Sequence, residues 1–224
     1  MRGSLLSSRA RAARGVGRKR TAKSCPFCPD SVGNLAHLLQ SCRASHGLRV
    51  KRHDDVARSL GDCLRRKGMT VRYEPRIPQA GTFLKPDIVA YNDCEALVLD
   101  PIVMSTAANP ADYLETKRRK YQVGEVTAHC RALVLERRLG RSREAGEGAP
   151  VTDRVGRPWS DTSVEVFSRI DGIAVDWRGC WCEESYNLLT RTLGFSPKLL
   201  EYISVRILNS GYRVWTGVRR RSEY

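Results

Sequence analysis

The feature that most constrains this chain is a set of four metal-ligand residues near its beginning, spaced C-x2-C-x8-H-x4-C: Cys25, Cys28, His37 and Cys42. Zinc prefers four sulfur or nitrogen ligands in a tetrahedron, and a C-x2-C turn presents two thiolates to one ion. The leucine-rich stretch 34–40 predicts a short helix that turns His37 toward the metal. His46 is the alternative to Cys42 as the fourth ligand. The spacing therefore predicts a zinc knuckle that folds on metal binding.

The charge of the chain indicates a polyanionic partner. Its 39 Lys and Arg outnumber 24 Asp and Glu, which gives a formal net charge of +15. Such an excess opposes compaction unless a polyanion shares the field, and nucleic acid is the usual partner. Hydrophobic residues make up 41% of the chain, enough for a folded core, but no apolar run is long enough for a membrane helix. The composition excludes collagen, coiled coils and membrane proteins.

The first 24 residues carry eight Lys and Arg and no acidic residue. With few apolar side chains to offset its ordering entropy, this stretch is predicted to be a disordered basic arm. It could bind phosphates through Arg18, Lys19 and Arg20, or serve as a nuclear import signal. A mitochondrial transit peptide and a tail without function are the alternatives. Eight cysteines without a secretory signal indicate a reduced compartment, and we expect the nucleus.

After residue 50 the hydrophobic pattern predicts an α/β domain. An amphipathic helix ends at Gly68, and a turn region containing Pro75, Pro78 and Gly81 separates the first two strands. Asn92-Asp93 marks a tight turn between the second and third strands. The predicted strands and the helix that follows them are Met69–Glu74, Lys85–Tyr91, Glu95–Val103 and Asp112–Val123.

Two aspartates on neighbouring predicted strands suggest a second metal site. Twelve residues separate Asp87 from Asp100, the length of a strand, a tight turn and a return strand. Such a hairpin brings the two carboxylates side by side, where hard oxygen ligands can hold magnesium. Asp100 stands between Leu99 and Ile102 in an apolar stretch, so its charge would be costly without a cation.

The last third of the chain carries weaker signals. Residues 140–160 predict a linker or loop. Two short strands, Ser163–Ile170 and Ile173–Trp177, are predicted to meet in a hairpin turn at Asp171-Gly172. Two helices are predicted to follow, at Trp181–Leu193 and Pro197–Asn209.

These motifs together resemble the C-terminal part of polyproteins from non-LTR retrotransposons of the restriction-like-endonuclease clade, typified by the R-two elements of ribosomal RNA genes. Beyond the knuckle, the shared motifs are Arg52-His53, Lys85-Pro86-Asp87, Asp100, and Lys117 with Tyr121. The resemblance covers residues 25 to about 121, and more loosely 176–179 and 193–194. No Tyr-x-Asp-Asp polymerase motif is present, so reverse transcription is expected of a parent polyprotein only.

The resemblance implies a PD-(D/E)xK restriction-endonuclease-like core. Asp87 and Asp100 would be the catalytic, magnesium-binding aspartates, with Lys117 stabilising charge on the phosphate and Tyr121 beside it. The sequence departs from the pattern at Ile102, where many such enzymes have lysine, and at Pro101, which removes a backbone donor from a strand. The predicted divisions are an arm (1–24), the knuckle (25–46), the nuclease core (47–139), a linker (140–160) and a strand-helix extension (161–224).

The resemblance further implies that the chain nicks target DNA in a metal-dependent reaction, exposing a 3′-hydroxyl that primes reverse transcription. Structural zinc and catalytic magnesium would be the cofactors. DNA would be the partner, element RNA is a further candidate, the chain is a candidate dimer, and no membrane is involved. The basic residues that follow Lys117 would contact the DNA backbone: Arg118, Arg119 and Lys120. Lys120 is also the alternative to Lys117 as the catalytic lysine. The alternative is an inactive, nucleic-acid-binding fragment of a truncated element.

Overall fold

A computed structural model of the chain describes residues 24–25, 27–28, 31–144 and 167–222, and the fold is mixed α/β. The predicted basic arm, with Arg18, Lys19 and Arg20, lies outside the described residues, as does most of the predicted linker. Within the described ranges, no helix combines the length and hydropathy required to span a membrane.

The described residues form six α-helices and six β-strands. A 3-10 turn precedes the second helix, and a π-helical turn follows the fifth. The elements are α1 (Leu35–Gln40), α2 (His46–Arg66), β1 (Thr70–Tyr73), β2 (Ile77–Gln79), β3 (Thr82–Leu84), β4 (Ile88–Tyr91), β5 (Glu95–Met104), α3 (Pro110–Tyr121), α4 (Gly124–Glu144), β6 (Phe167–Asp176), α5 (Glu183–Asn187) and α6 (Pro197–Ser222).

The chain divides into two compact units, each built from separate stretches. The first unit combines Met1–Arg58 with Pro101–Pro110 and Ala174–Tyr224. The second unit combines Ser59–Asp100 with Ala111–Ile173. The strands form a four-stranded sheet in the order β1-β4-β5-β6 and a separate β2-β3 hairpin.

The core of the second unit lies between the sheet and α4. Strands β4 and β5 are antiparallel, with Ile88 paired to Leu99 and Tyr91 paired to Ala96. The side chains that α4 buries recur at helical spacing, which gives the helix one apolar face. They are Val126, Cys130, Leu133 and Val134, and they pack with Val89, Tyr91, Ala96, Val98 and Tyr121.

The predicted turn region between the first two strands contains a hairpin, β2-β3. Ile77 pairs with Leu84, and both side chains are buried. Gly81 turns the chain with a φ of 72°, a conformation that other residues rarely adopt. The prediction of a turn was correct at Gly81, but the apolar residues on either side extend it into paired strands.

The predicted hairpin at Asp171-Gly172 is wrong, because residues 167–176 form one continuous strand, β6. Asp171 is buried in the strand and pairs with two arginines instead of turning the chain. A Cβ at Gly172 would come within 3.0 Å of the Leu114 side chain, so the glycine permits close packing against α3.

In the first unit, the helix of the knuckle packs on α6. Leu35, Leu38 and Leu39 of α1 share a buried cluster with Val214 and Val218. Helix α6 therefore runs past the predicted end at Asn209 to Ser222, because its apolar face continues to Val218. Helix α2 begins at His46, earlier than the pattern around His53 predicted, since Leu48 and Val50 in its first turns are exposed.

Candidate metal and catalytic centres

The four predicted zinc ligands form one cluster in the first unit. The ligand atoms of Cys25, Cys28, His37 and Cys42 all lie within 4.8 Å of one another. The Cys42 Sγ is 3.7 Å from the Cys25 Sγ and 3.9 Å from the Cys28 Sγ. Thiolates bound tetrahedrally at about 2.3 Å from zinc would be separated by about 3.8 Å. The cluster could therefore hold a zinc ion with little movement of the sulfurs.

Local structure positions each of these ligands. An isolated β-bridge between Ser24 and Val32 closes the loop that carries Cys25 and Cys28. Asn34 caps α1 by accepting a hydrogen bond from the His37 backbone N–H at 2.7 Å. Cys42 is buried at the end of the knuckle, whereas the alternative ligand, His46, is exposed and outside the cluster.

The His37 ring has one nitrogen available to a metal. Its Nδ1 is 3.3 Å from the Ser41 hydroxyl, whereas its buried Nε2 has no hydrogen-bond partner among the described residues. Burial, followed by the charge of Arg49, lowers the pKa of His37 and so favours the neutral imidazole that a metal requires. The orphaned Nε2 and the sulfur spacing both fit zinc.

The burial of Cys42 adds a further reason for a cation. Desolvation raises the pKa of the Cys42 thiol to about 11, with smaller contributions from the neighbouring thiols. A coordinating metal reverses this preference, because it deprotonates the thiols that bind it. The backbone N–H of Arg43 already lowers the pKa of Cys28.

The Arg52-His53 dipeptide connects parts of the first unit. The Arg52 guanidinium donates to the Leu39 carbonyl oxygen at 2.9 Å, at the end of α1, where helix carbonyls are unpaired. Burial lowers the pKa of Arg52 to about 10. The His53 Nε2 lies 3.0 Å from the carbonyl oxygen of Pro101. These two side chains hold the knuckle helix and the end of β5 to α2.

The second candidate centre lies in the second unit, around Asp100. The β4-β5 pairing ends at Ile88 and Leu99, and Asp87 and Asp100 are the residues next to that last pair, one on each chain segment. Asp87 is partly buried, and Asp100 is 3% exposed. Both carboxylate residues of the predicted hairpin therefore adjoin the same end of the β4-β5 pair.

Three side chains of α3 neutralise and fix the Asp100 carboxylate. The Lys117 Nζ is 2.7 Å from Oδ1, which also accepts a hydrogen bond from the Tyr113 hydroxyl at 2.9 Å. The Tyr121 hydroxyl donates to Oδ2 at 2.8 Å and lies 3.0 Å from the Lys85 carbonyl oxygen. A buried carboxylate requires such partners, because an unpaired charge in a core is strongly unfavourable.

The two tyrosines remain neutral donors in this setting. Burial first, then the negative charge of Asp100, raises the pKa of both Tyr113 and Tyr121 above the ordinary value for tyrosine. The charge of Asp87 makes a smaller contribution, in the same direction, to the pKa of both hydroxyls.

Tyr113 was not predicted as a member of this centre. Residues at i, i+4 and i+8 share one face of a helix, and Tyr113, Lys117 and Tyr121 have that spacing. The Lys117 ammonium lies 5.3 Å from the Tyr113 ring and 5.9 Å from the Tyr121 ring. The periodicity of α3 was therefore a usable signal for the missing tyrosine.

The basic residues after Lys117 differ in their surroundings. The Arg118 side chain is 26% exposed, and its Nε is 3.2 Å from the buried carboxylate of Asp171, which also pairs with Arg169. Arg119 is exposed and forms an ion pair with Glu115 on its own helix. Lys120 is exposed, and its ammonium lies 4.8 Å from the Tyr121 ring rather than beside Asp100.

Comparison with known proteins points to one kind of element. No protein-family model matches the chain. It is similar to the retrovirus-related Pol polyprotein of the type-1 retrotransposable element R2 of Nasonia vitripennis, with 25% identity over 178 residues, 80% of the chain and 15% of that protein. A polyprotein of the same description from Popillia japonica is 25% identical over 197 residues, 88% of the chain and 34% of the relative.

A third relative is the Pol polyprotein of the type-2 retrotransposable element R2DM of Drosophila melanogaster, 27% identical over 203 residues, 91% of the chain and 16% of the relative. The chain spans between 15% and 34% of the length of these three curated relatives. It is thus homologous to R2 retrotransposon polyproteins over most of its own length, while it corresponds to only part of each.

Proposed function

We propose that the chain is a metal-dependent DNA endonuclease of an R2-type retrotransposon, which nicks target DNA to expose a 3′-hydroxyl for reverse transcription. The observation that carries the proposal is the arrangement around Asp100. A second carboxylate residue, Asp87, adjoins the same end of the β4-β5 pair, and the ammonium of Lys117 is 2.7 Å from the Asp100 Oδ1. Homology to R2 polyproteins along most of the chain supports the element, and the acidic pair supports the chemistry.

Each residue of this centre would contribute a distinct effect. Asp87 and Asp100 would hold magnesium, which when bound polarises a phosphate oxygen and lowers the pKa of bound water. Lys117 would place a positive charge beside the negative charge that develops on the phosphate during cleavage. Tyr113 and Tyr121 would keep the Asp100 carboxylate in one orientation by donating to its two oxygens.

The donor set around Asp100 fits a magnesium ligand. An ionised carboxylate has about four acceptor positions, and the contacts of Asp100 with Lys117, Tyr113 and Tyr121 occupy three. One position on Oδ2 is left for a cation. Magnesium is usually bound by one or two carboxylates, with water and phosphate oxygens completing its shell, so Asp87 and Asp100 suffice.

The remaining features support a DNA partner, and we propose the nucleus as the compartment where the chain meets it. The net charge of +15 favours association with a polyanion. A zinc-bound knuckle would complete the packing of α1 on α6 and add a second nucleic-acid-binding element. Arg119 and Lys120, which are exposed on α3, are better placed to contact DNA phosphates than Arg118, whose charge Asp171 already engages.

One observation favours an inactive, nucleic-acid-binding fragment as the second candidate. The Asp100 carboxylate already has three donors within 2.9 Å and is nearly inaccessible. If those donors cannot make room for a cation, the same network would only stabilise the fold.

Nicking of supercoiled plasmid DNA in the presence of magnesium separates the two candidates. We expect the unchanged chain to convert supercoiled plasmid to open circles, and Asp87→Ala to lose at least a hundredfold in rate. Asp62→Ala is the matched control, because Asp62 is an exposed carboxylate whose ion pair, among the described residues, is with its helix neighbour Arg65. If Asp87→Ala nicks as fast as Asp62→Ala, or if no form of the chain nicks DNA, the proposed endonuclease is wrong.

A further inference from the structure

The β2-β3 hairpin presents an aromatic and basic surface that the candidate catalytic centre does not use. The pairing of Pro78 with Phe83 puts both on the side of the hairpin opposite the buried Ile77 and Leu84. Phe83 is 46% exposed, one of the few large apolar side chains in the described part of the second unit that remain in solvent. Packing in the protein core therefore does not account for a phenylalanine at this position.

The hairpin is anchored directly beside the acidic pair. Ile77 and Leu84 are buried in the same core cluster as Tyr121, the residue whose hydroxyl contacts Asp100. The Tyr121 hydroxyl also lies 3.0 Å from the carbonyl oxygen of Lys85, the residue after β3. The buried side of the hairpin is therefore packed against a residue of the candidate centre, and this packing fixes the position of its outward face.

A guanidinium lies over the exposed ring. The Arg76 Cζ is 4.7 Å from the centroid of the Phe83 ring, and Arg76 forms no ion pair within the part of the chain that the structure describes. From Pro75 to Pro86 the chain contains Arg76 and Lys85 and no acidic residue, but the Lys85 ammonium is 2.7 Å from the carboxylate of Glu74, so Arg76 supplies the unpaired charge. An aromatic ring next to an unpaired guanidinium suits a nucleic acid, which offers base faces to the ring and phosphates to the cation.

We infer that the β2-β3 hairpin contacts the bases of the DNA duplex beside the cleaved phosphate, with Phe83 against a base step and Arg76 on the neighbouring backbone. The inference rests on the proposed function for the position of the DNA. Asp87 is four positions after Phe83, so their Cα atoms are at most about 14 Å apart. That distance corresponds to about four base steps along one strand, at about 3.4 Å each. Apolar side chains at base steps affect which sequences bind, because steps differ in how easily they unstack.

Crosslinking tests this contact without requiring cleavage. The full chain would carry the photoreactive amino acid p-benzoylphenylalanine in place of Phe83 or, as a control, in place of Leu139, which is 64% exposed on α4. After irradiation with a radiolabelled 30-base-pair duplex in magnesium-free buffer, we expect at least five times more DNA crosslinked at position 83. Equal crosslinking at the two positions would overturn the inference.

Binding measurements supply the second readout. Phe83→Ala should weaken binding of the same duplex by about five- to tenfold, and Leu139→Ala should leave it within twofold. Because both side chains are exposed, thermal unfolding of the two variants should match that of the unchanged chain. Unchanged affinity in Phe83→Ala would also contradict the inference.

The outcomes distinguish the hairpin from the nuclease. Crosslinking at position 83 by a chain that never nicks plasmid would preserve the hairpin contact and reject the proposed function. Nicking by a chain that crosslinks no better at position 83 than at position 139 would support the proposed function and reject the hairpin contact.

Discussion

The buried carboxylate of Asp100 is the residue whose stabilisation matters most to the proposed site. Asp100 is 3% exposed, and a lysine and two tyrosines on one face of α3 supply its partners. Removing one partner from such a group leaves an uncompensated charge, which typically costs about 3–5 kcal/mol of stability. The same contacts hold Lys117 where the proposed reaction needs a cation.

The tyrosines predict a loss of stability at high pH. The pKa of Tyr113 is raised in the folded protein, mainly by burial, so the folded state keeps a proton that the unfolded state releases above about pH 10. The contribution of protonated Tyr113 to the free energy of unfolding is fully present below pH 10. It is lost as the pH rises from there toward the pKa of Tyr113 in the folded protein. Between pH 10 and 11.5, Tyr113→Phe should remove up to about 1.4 kcal/mol per pH unit from the slope of unfolding free energy against pH.

Urea denaturation of the unchanged chain and of Tyr113→Phe across that range measures the slope. Tyr202→Phe is the control, since Tyr202 is 55% exposed. Identical slopes for the unchanged chain and Tyr113→Phe would show that the Tyr113 hydroxyl is not held protonated by its surroundings.

The sequence was sufficient to find part of the acidic centre. The twelve-residue spacing predicted that Asp87 and Asp100 would lie side by side, and a lysine one helix later was expected to reach them. Tyr113 and the ion pair of Arg118 with Asp171 were missed. Asp171 is distant in sequence from α3, and its Asp-Gly dipeptide favours a turn, so only the packed structure reveals its partner.

The knuckle contains one short helix, and its own buried side chains are too few to keep it folded without other contacts. Its leucines pack on α6, and its four ligand atoms converge within 4.8 Å. Binding free energy for a structural zinc is folding free energy for the residues that it joins. Metal binding should therefore stabilise the packing of α1 on α6.

We expect one zinc ion per chain, bound through these ligands. His37→Ala should lower the zinc content of the purified protein by one ion per chain, whereas His46→Ala should retain it, because His46 is exposed and outside the cluster. Metal analysis by mass spectrometry measures both. Equal zinc contents in the two variants would contradict the assignment of His37.

The elements were predicted best where one apolar face was clear. Strands β4 and β5 and helix α3 lie close to their predicted positions, because buried and polar residues there follow regular patterns. Helix α4 was not predicted, and its exposed Leu135 and Leu139 obscure the stripe formed by its buried residues. In β6, the demands of tertiary packing at Gly172 outweighed a strong local turn signal.

The net charge of the whole molecule predicts association with a polyanion. The net charge of +15 includes eight Lys and Arg in the first 24 residues. Each phosphate that a protein neutralises on duplex DNA adds about 0.9 to the slope of log affinity against log salt concentration. The arm can therefore contribute at most about seven units of slope.

Replacing residues 1–23 with a neutral Gly-Ser segment of equal length should flatten that slope by several units. Fluorescence anisotropy with a labelled duplex would measure this slope. The affinity would be determined at about five salt concentrations from 50 to 300 mM, a range in which counterion release dominates the salt dependence. An unchanged slope would mean that the arm does not bind DNA and would favour its alternative roles.

Lys117 is proposed to act with Asp87 and Asp100 in DNA cleavage, and single-turnover cleavage at saturating DNA tests this role. Lys117→Ala should reduce the rate by at least about a hundredfold, or about 2.7 kcal/mol, while DNA affinity stays within about threefold. Lys120→Ala is the matched control, because its exposed ammonium lies over Tyr121 rather than beside Asp100. It should cleave at nearly the rate of the unchanged chain. If Lys117→Ala cleaves normally, whether or not Lys120→Ala does, the catalytic role assigned to Lys117 is wrong.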